Sequence, residues 1–209
     1  MCLAAVVLAT LLAITMASEK EKVNLPERQL KLSLYQDAWK SVKNPAKRYL
    51  KYRSYVKDEM FGGSSKCMFI QQTQHENFNK TAKTEMGFYN STRSCVVKYT
   101  VCTHVETTEP YCIPNVIRAA RCTNSSLYAD SPIIFSDYKS CDVVRAPHTG
   151  NPLDCELWVA EANINDVPSI CEFAYDVFCN TTEKYIISDQ SCTNPTKQNV
   201  CQIPAQQTE

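Results

Sequence analysis

The 209-residue sequence has only four glycines and three histidines. It contains no glycine-rich phosphate-binding loop, no Gly-x-Ser-x-Gly motif and no Cys-x-x-Cys pair, so the common signatures of nucleotide, hydrolase and thiol redox sites are missing. The histidines, His75, His104 and His148, are far apart and lack the spacing of metal ligands. We interpret all three as surface or turn residues, and we expect neither an enzyme nor a cofactor or metal protein.

The chain also lacks an excess of charge, with 22 basic and 22 acidic residues. A nucleic-acid-binding protein usually has a basic excess or stripe, whereas Lys and Arg occur here only in scattered pairs. Beyond residue 17, no apolar run approaches the roughly 20 residues of a membrane helix. We therefore expect neither nucleic acid nor membrane as a partner.

The N-terminus is the one long apolar segment. Residues 1–17 are almost wholly apolar, end in the small-residue pattern Thr15-Met16-Ala17, and are followed by charged residues. This pattern predicts a signal peptide over 1–17 and a secreted, extracellular protein. We assign 18–33 to a flexible N-terminal arm, 34–192 to the folded domain and 193–209 to a C-terminal tail.

Cysteine is abundant, with twelve in the chain, which fits an oxidising compartment. Cleavage of the leader removes Cys2 and leaves eleven, so one thiol is free or forms an intermolecular bridge. We therefore expect a monomer, or a dimer linked through the odd cysteine. Four Asn-x-Ser/Thr sequons add to the expectation of secretion and predict glycosylation at Asn79, Asn90, Asn124 and Asn180.

Between residues 47 and 158, short strand-like runs alternate with polar turns, which is typical of an all-β barrel or sandwich. A short helix capped by Asp37 and containing Trp39 precedes them. After them, apolar residues recur at three and four from Ile164 to Phe178, which predicts an amphipathic helix with Asp166 as its cap.

The runs 94–104 and 111–122 indicate a hairpin with two cysteines on each arm. Pairing of Cys102 with Cys112 and of Cys95 with Cys122 is nearly symmetric about the loop. The spacings on the two arms differ in parity, however, so both pairs form together only with a bulge or register break. The pairing of these four cysteines and Cys201 therefore stays open.

The stretch from Ile133 to Trp158 indicates a second hairpin, with acidic residues embedded among strand formers. Because side chains alternate along a strand, Glu156 and Trp158 share one face and Leu157 and Val159 the other. The pairing of a carboxylate with an indole is either an ordinary solvated face or a polar anchor inside a binding cavity.

Several runs in this order resemble the tick salivary lipocalins, in particular the histamine-binding proteins. They are the helix with Asp37-Ala38-Trp39-Lys40-Ser41, the run Ser-Asp-Tyr-Lys-Ser-Cys-Asp (136–142) and the run Asp-Cys-Glu-Leu-Trp (154–158). The resemblance extends from about Tyr35 to Cys192. It implies an eight-stranded antiparallel lipocalin barrel with an internal cavity, a short N-terminal helix and a C-terminal α-helix packed outside.

The resemblance also implies particular residues. The disulfides would be Cys67–Cys192, Cys141–Cys171 and Cys155–Cys179. The residues that match the family's ligand-binding positions are Tyr55, Asp58, Phe61, Asp142, Glu156 and Trp158. Phe61 replaces the family's tryptophan. Two further carboxylates of the histamine pockets have no clear match, since the middle strand offers Lys98, Tyr99 and Thr100, and Asp130 beside Ser131 has the wrong parity.

Three functions follow as hypotheses. The first is sequestration of a biogenic amine, histamine or serotonin, to suppress the host inflammatory response; the carboxylates and rings above suffice for one ammonium. The second is capture of an anionic lipid mediator, a leukotriene or fatty acid, which requires an inward-facing cation among Arg53, Lys98, Arg118, Arg121 and Arg145. The third is a protein-binding immune modulator on the same scaffold.

Overall fold

The computed structural model describes residues 25–179, 183–194 and 199–201, so the predicted signal peptide and Asn180 lie outside the described residues. Its nine strands are β1 (Arg48–Arg53), β2 (Lys66–Glu76), β3 (Thr81–Asn90), β4 (Cys95–Glu106), β5 (Val116–Arg121), β6 (Asn124–Ser136), β7 (Cys141–Arg145), β8 (Cys155–Ala160) and β9 (Tyr185–Ile186). Strands β2 to β8 pair in chain order, all antiparallel, and β1 pairs with both β8 and β2. This closes an eight-stranded barrel and confirms the predicted fold class.

The barrel has an apolar interior and an apolar outer face, because strand side chains alternate between the two. The inner cluster includes Leu50, Met68, Met86, Val101, Ile133 and Trp158. The outer cluster includes Ile134, Val143, Leu157 and Val159 and is covered by helix α2 (Ser169–Phe178) through Cys171, Ala174 and Tyr175. The alternation predicted for β8 is therefore confirmed, with Trp158 inside and Leu157 outside.

Helix α1 (Ala38–Val42) covers one end of the barrel, which we call the closed end. Asp37 caps it by accepting hydrogen bonds from the backbone nitrogens of Trp39 (3.0 Å) and Lys40 (3.1 Å). The helix packs against β4, β5 and β6, and its Trp39 is buried, with its ring 6.0 Å from that of His75. The opposite end, which we call the open end, carries the β1–β2 and β7–β8 loops, whose residues Asp58, Phe61 and His148 line the cavity.

Helix α2 begins later than predicted. It starts at Ser169 after Pro168, and no side chain caps it, so the prediction of Asp166 as cap was wrong. Pro168 holds an extended conformation, and a residue before proline is disfavoured in the α region, so Val167 and the residues before it do not join the helix.

Residues 25–33, assigned to a flexible arm by sequence, are packed on the barrel. They form 3₁₀ turns at Pro26–Arg28 and Leu30–Tyr35. Glu27 is buried and its carboxylate lies 2.7 Å from Nε of Arg145. Beside it, buried Gln36 donates from Nε2 to the carbonyl oxygens of Pro26 and Ile134. This polar anchor places the N-terminal segment across the outside of the sheet.

The structure contains the three disulfides that the resemblance implies, Cys67–Cys192, Cys141–Cys171 and Cys155–Cys179. The pairing suggested within the first hairpin was wrong, since Cys102 bonds Cys122 and Cys95 bonds Cys201. Strand β5 pairs with β4 only from Val101 onward. Cys95 is six residues, or about 20 Å, away from that pairing and cannot reach Cys122.

Cys112 is therefore the free, exposed thiol of the described residues. Residues 199–201, predicted to belong to the tail, pair with the start of β4, where Val96 donates to Asn199 and Cys201 donates to Val96. Of the sequons, Asn79 is exposed in the β2–β3 turn and Asn90 is partly exposed at the end of β3. Within the described residues, no helix has both the length and the apolar character to cross a bilayer.

Candidate ligand-binding cavity

The barrel encloses a cavity of about 110 Å³ with one polar cluster at each end. Its wall is mostly apolar and includes Met68, Ile70, Met86, Val101, Ile117, Ala119, Ala129 and Val144. The open-end cluster consists of Tyr55, Asp58, Phe61, His148, Glu156 and Trp158. The closed-end cluster consists of Ser41, Arg48, Ser136 and Asp142. An apolar cavity with a few convergent polar groups is the usual form of a small-molecule site.

Asp58 is fixed by the fold of the β1–β2 loop. Its Oδ1 accepts hydrogen bonds from the backbone nitrogens of Met60 (2.9 Å) and Phe61 (2.8 Å). A bridge from Asp58 to Gly63 closes the turn, and Gly62 and Gly63 have φ values of 82° and 64°, which favour glycine. The sequence therefore directs both the carboxylate and the Phe61 ring into the cavity.

Arg53 holds the same loop from outside the cavity. Its fully buried guanidinium donates from Nε to the Tyr55 carbonyl (3.0 Å) and from Nη2 to the carbonyls of Val56 (2.6 Å) and Gly63 (2.8 Å). Because one side chain satisfies three carbonyls of the loop, the loop has a single defined position relative to β1.

Glu156 is buried in the floor of the open-end cluster. Its Oε1 accepts a hydrogen bond from the Tyr55 hydroxyl, and its Oε2 accepts one from Nε1 of Trp158 (2.8 Å). Burial, reinforced by the charge of Asp58, raises the pKa of Glu156 above its ordinary value. The Tyr55 hydroxyl also lies 3.1 Å from Oδ2 of Asp58, so its single proton is shared between the two carboxylates and connects them.

His148 is the residue of this cluster that the sequence did not reveal. It lies in a turn, as predicted, but its side chain is only 7% exposed and lines the cavity, so its interpretation as a surface residue was wrong. Its Nε2 lies 3.2 Å from Oδ2 of Asp58, and its ring contacts that of Phe61 edge to face at 5.9 Å. No sequence periodicity marks a residue in an irregular loop, so this position had no detectable signal.

The charges around His148 set its protonation and that of Asp58. Burial alone would lower the pKa of His148, but its hydrogen bond to Asp58 and the charges of Glu156 and Asp58 outweigh burial and raise it. Burial would raise the pKa of Asp58, yet the hydrogen bonds from His148 and the Phe61 backbone lower it. Nδ1 of His148 is buried and has no hydrogen-bond partner among the described residues.

The carboxylates and imidazole of Asp58, His148 and Glu156 offer ligand atoms within 4.8 Å of one another, a spacing that also suits a metal ion. Their oxygens, however, already accept hydrogen bonds from Tyr55, Trp158 and two backbone amides. A second such group, Asp137 with Cys141 and Cys171, is unsuitable because the two sulfurs form a disulfide.

Asp142 belongs to the closed-end cluster rather than to the carboxylates at the open end. Its Oδ2 lies 2.8 Å from Nε of Arg48, and its Oδ1 accepts hydrogen bonds from the hydroxyls of Ser41 (2.7 Å) and Ser136 (2.6 Å). Arg48 was missed in the sequence, although period two in β1 places it on the same face as the core residue Leu50. Asp142 is thus neutralised within the protein.

The five cations considered for an anionic ligand are all committed elsewhere. Arg53 binds loop carbonyls, Arg145 pairs with Glu27, Arg118 pairs with Asp130, Lys98 pairs with Glu85, and Arg121 stacks on Tyr99. None of the five lines the cavity, and Arg118 with Asp130 lies on the outer side, as the parity of Asp130 indicated. Ser131 does line the cavity.

A closed eight-stranded antiparallel barrel with an internal cavity and an external C-terminal helix defines the chain as a lipocalin. A sequence model described as tick histamine-binding protein matches residues 26–194, and the chain belongs to that family.

Individual relatives agree with this assignment. A male-specific histamine-binding salivary protein of Rhipicephalus appendiculatus is 27% identical over 178 residues, which cover 82% of this chain and 88% of the relative. The solved serotonin complex of AM182 has a TM-score of 0.57 at 20% identity, covering 76% of this chain and 93% of that one. Apocrustacyanin C2 has a TM-score of 0.53 at 13% identity, covering 75% and 83%. At these identities the two structures support the fold alone.

Proposed function

We propose that this lipocalin is secreted, binds one molecule of a biogenic amine such as histamine or serotonin in its barrel, and removes it from host tissue without altering it. The observation that carries this proposal is the open-end cluster, in which two buried carboxylates lie among three aromatic rings. The relatives support it, since one is named for histamine binding and the serotonin complex shares the fold.

Charge and hydrogen bonding explain how the cluster would hold an ammonium. Asp58 already accepts hydrogen bonds from two backbone amides and from His148 and serves as a fixed charge. Glu156 contacts only the neutral donors of Tyr55, whose proton it shares with Asp58, and Trp158, so it has acceptor capacity left. Neutral His148 adds Nδ1 as a further acceptor. The rings of Phe61 and Trp158, which line the cavity, would each add roughly 0.5 to 2 kcal/mol of cation–π attraction.

The balance of charges in the cavity also predicts that each molecule binds one amine. The carboxylate at the other end, Asp142, has its charge balanced by Arg48, so a second ammonium there would lack a counter-ion. An anionic lipid has no support, because the five cations considered above do not line the cavity and the charge of Arg48, which does, is balanced by Asp142. We propose a monomer, with Cys112 as the thiol available for any disulfide-linked dimer.

Calorimetric titration of the glycosylated protein with histamine, serotonin and leukotriene B4 tests the proposal. We expect a one-to-one complex with at least one amine and a dissociation constant below about 1 μM, equivalent to roughly 8 kcal/mol of binding free energy. Absence of heat with both amines would refute amine sequestration, and binding of the leukotriene instead would require an anion site in the barrel.

Amine binding is expected to weaken as the pH falls from 7.5 to 5.5. Burial raises the pKa of Glu156, and the hydrogen bond to Asp58 raises that of His148, so both take up protons at a higher pH than ordinary Glu and His side chains do. Protonated Glu156 loses its negative charge and protonated His148 repels the ammonium, so both changes act in the same direction. Affinity should fall by up to about tenfold per pH unit below the governing pKa, since binding then displaces one proton.

Titrations in two buffers of different ionisation enthalpy, repeated across this range, measure the protons released. His148→Asn should flatten the pH dependence, whereas His104→Asn on the outer side should not. An affinity that stays constant from pH 7.5 to 5.5 would contradict the assignment of these groups to the binding site.

A further inference from the structure

We propose that Arg48 is a second recognition point in the cavity, which binds a neutral hydrogen-bond acceptor at the end of the ligand opposite its ammonium. The ligand class is then an amine that carries a hydroxyl, carbonyl or ether oxygen at its far end. This inference rests on the proposed function, because the ammonium fixes the direction in which the ligand lies.

The first observation is the state of the Arg48 guanidinium. The side chain lines the cavity and is 3% exposed, yet Nη2 is buried and has no hydrogen-bond partner among the described residues. Its contact with Asp142 joins Nε to Oδ2, and Oδ1 of Asp142 is already taken by Ser41 and Ser136. Arg48 therefore keeps donor capacity that no described protein group uses, and a buried unpaired donor is a costly feature to retain.

The second observation is the charge balance, which selects the type of acceptor. Arg48 and Asp142 cancel each other, so a carboxylate or phosphate added to this pair would bring an uncompensated buried charge. A neutral oxygen would satisfy the guanidinium without that cost. Outside the two clusters, the polar residues that line the cavity are uncharged: Asn44, Gln72, Thr84, Thr103 and Ser131.

The third observation is the separation of the two recognition points. Arg48 pairs with Ala160 and Arg53 pairs with Glu156 between β1 and β8. Four residues therefore separate the level of Arg48 from that of Glu156, about 13 Å along the strand. Both residues line the cavity, so a ligand that contacts both would lie along the barrel axis with its ammonium at one end and its acceptor at the other.

Three amines that differ at one position test the inference: tryptamine, serotonin, which adds a ring hydroxyl, and 5-methoxytryptamine, whose ring oxygen only accepts. We expect the two oxygenated amines to bind wild-type protein at least tenfold more tightly than tryptamine. Arg48→Lys keeps the positive charge beside Asp142 but loses the several N–H donors of the guanidinium. In this variant the ratio of affinities between the oxygenated amines and tryptamine should fall below about threefold.

Arg118→Lys is the matched control, since Arg118 pairs with Asp130 on the outer surface, and it should preserve the wild-type order of affinities. Equal affinity of wild type for tryptamine and serotonin would overturn the inference even if Arg48→Lys does not fold. A preference that survives in Arg48→Lys, or a methoxy compound that binds like tryptamine, would overturn it too. Binding of none of the three amines would overturn the inference together with the proposed function, whereas equal binding of all three leaves the proposed function intact.

Discussion

Glu156→Gln should weaken amine binding by about 100-fold while leaving the barrel folded. The substitution keeps the size and one oxygen of the side chain but removes the only carboxylate of the open-end cluster with free acceptor capacity. Losing the partner of a desolvated charge costs about 2 to 5 kcal/mol, and each 1.4 kcal/mol is a factor of ten in the dissociation constant. Titration calorimetry with the amine that binds wild type most tightly measures the effect.

Glu161→Gln is the matched control, because it makes the same substitution outside the cavity. The Glu161 side chain is 45% exposed and contacts Lys47. It should bind like wild type. Thermal unfolding of both variants separates loss of binding from loss of structure. A Glu156→Gln variant that binds within threefold of wild type would show that Glu156 is not the counter-ion. Asp58→Ala is less informative, because Asp58 also holds the backbone of its own loop.

Removal of the Cys67–Cys192 disulfide as the paired serine variant should cost about 4 kcal/mol of unfolding free energy. This bond links β2 to the segment after β9. Because Cys95–Cys201 stays intact, the loop that it closes runs over the 28 residues from Cys67 to Cys95 and the 9 from Cys192 to Cys201, and in the chain-entropy account a longer loop restrains the unfolded chain more. For a domain of this size the loss corresponds to roughly 8 to 16 °C in melting temperature.

The paired serine variant of Cys102 and Cys122 is the comparison, since that bond closes a separation of only 20 residues. Its expected cost is about 3 kcal/mol. Urea unfolding of both variants at one pH gives the difference directly. A larger loss from the short loop would show that strand pairing around β4 and β5, rather than loop length, determines the stabilisation.

Regular features of this protein were predictable from the sequence because periodicity encodes them. The alternation in β8 placed Glu156 and Trp158 on one face, which the structure shows to line the cavity, and Asp37 marked the start of α1. Arg48 was not predicted as a site residue, because an arginine next to Lys47 at the start of a strand is usually an exposed charge. Its burial depends on Asp142, which lies on β7, far away in sequence.

His148 and the cysteine pairs depend on contacts between distant segments. His148 enters the cavity because the β7–β8 loop lies beside the β1–β2 loop at the open end, which no local pattern reports. Cys95 finds Cys201 because the C-terminal residues pair with the start of β4. Such contacts depend on which segments become neighbours in the assembled barrel, and a local sequence pattern does not report this.

The loop that Arg53 holds has a consequence for how the protein would be used. Asp58 and Phe61 lie on that loop and line the cavity, and three hydrogen bonds to one buried guanidinium hold the loop in place, so opening of the loop would be a slow step in the release of an amine bound there. Differences in affinity among related complexes come mainly from the dissociation rate. Slow release would make each molecule a single-use trap, so the quantity secreted, rather than any turnover, would set the amount of mediator removed.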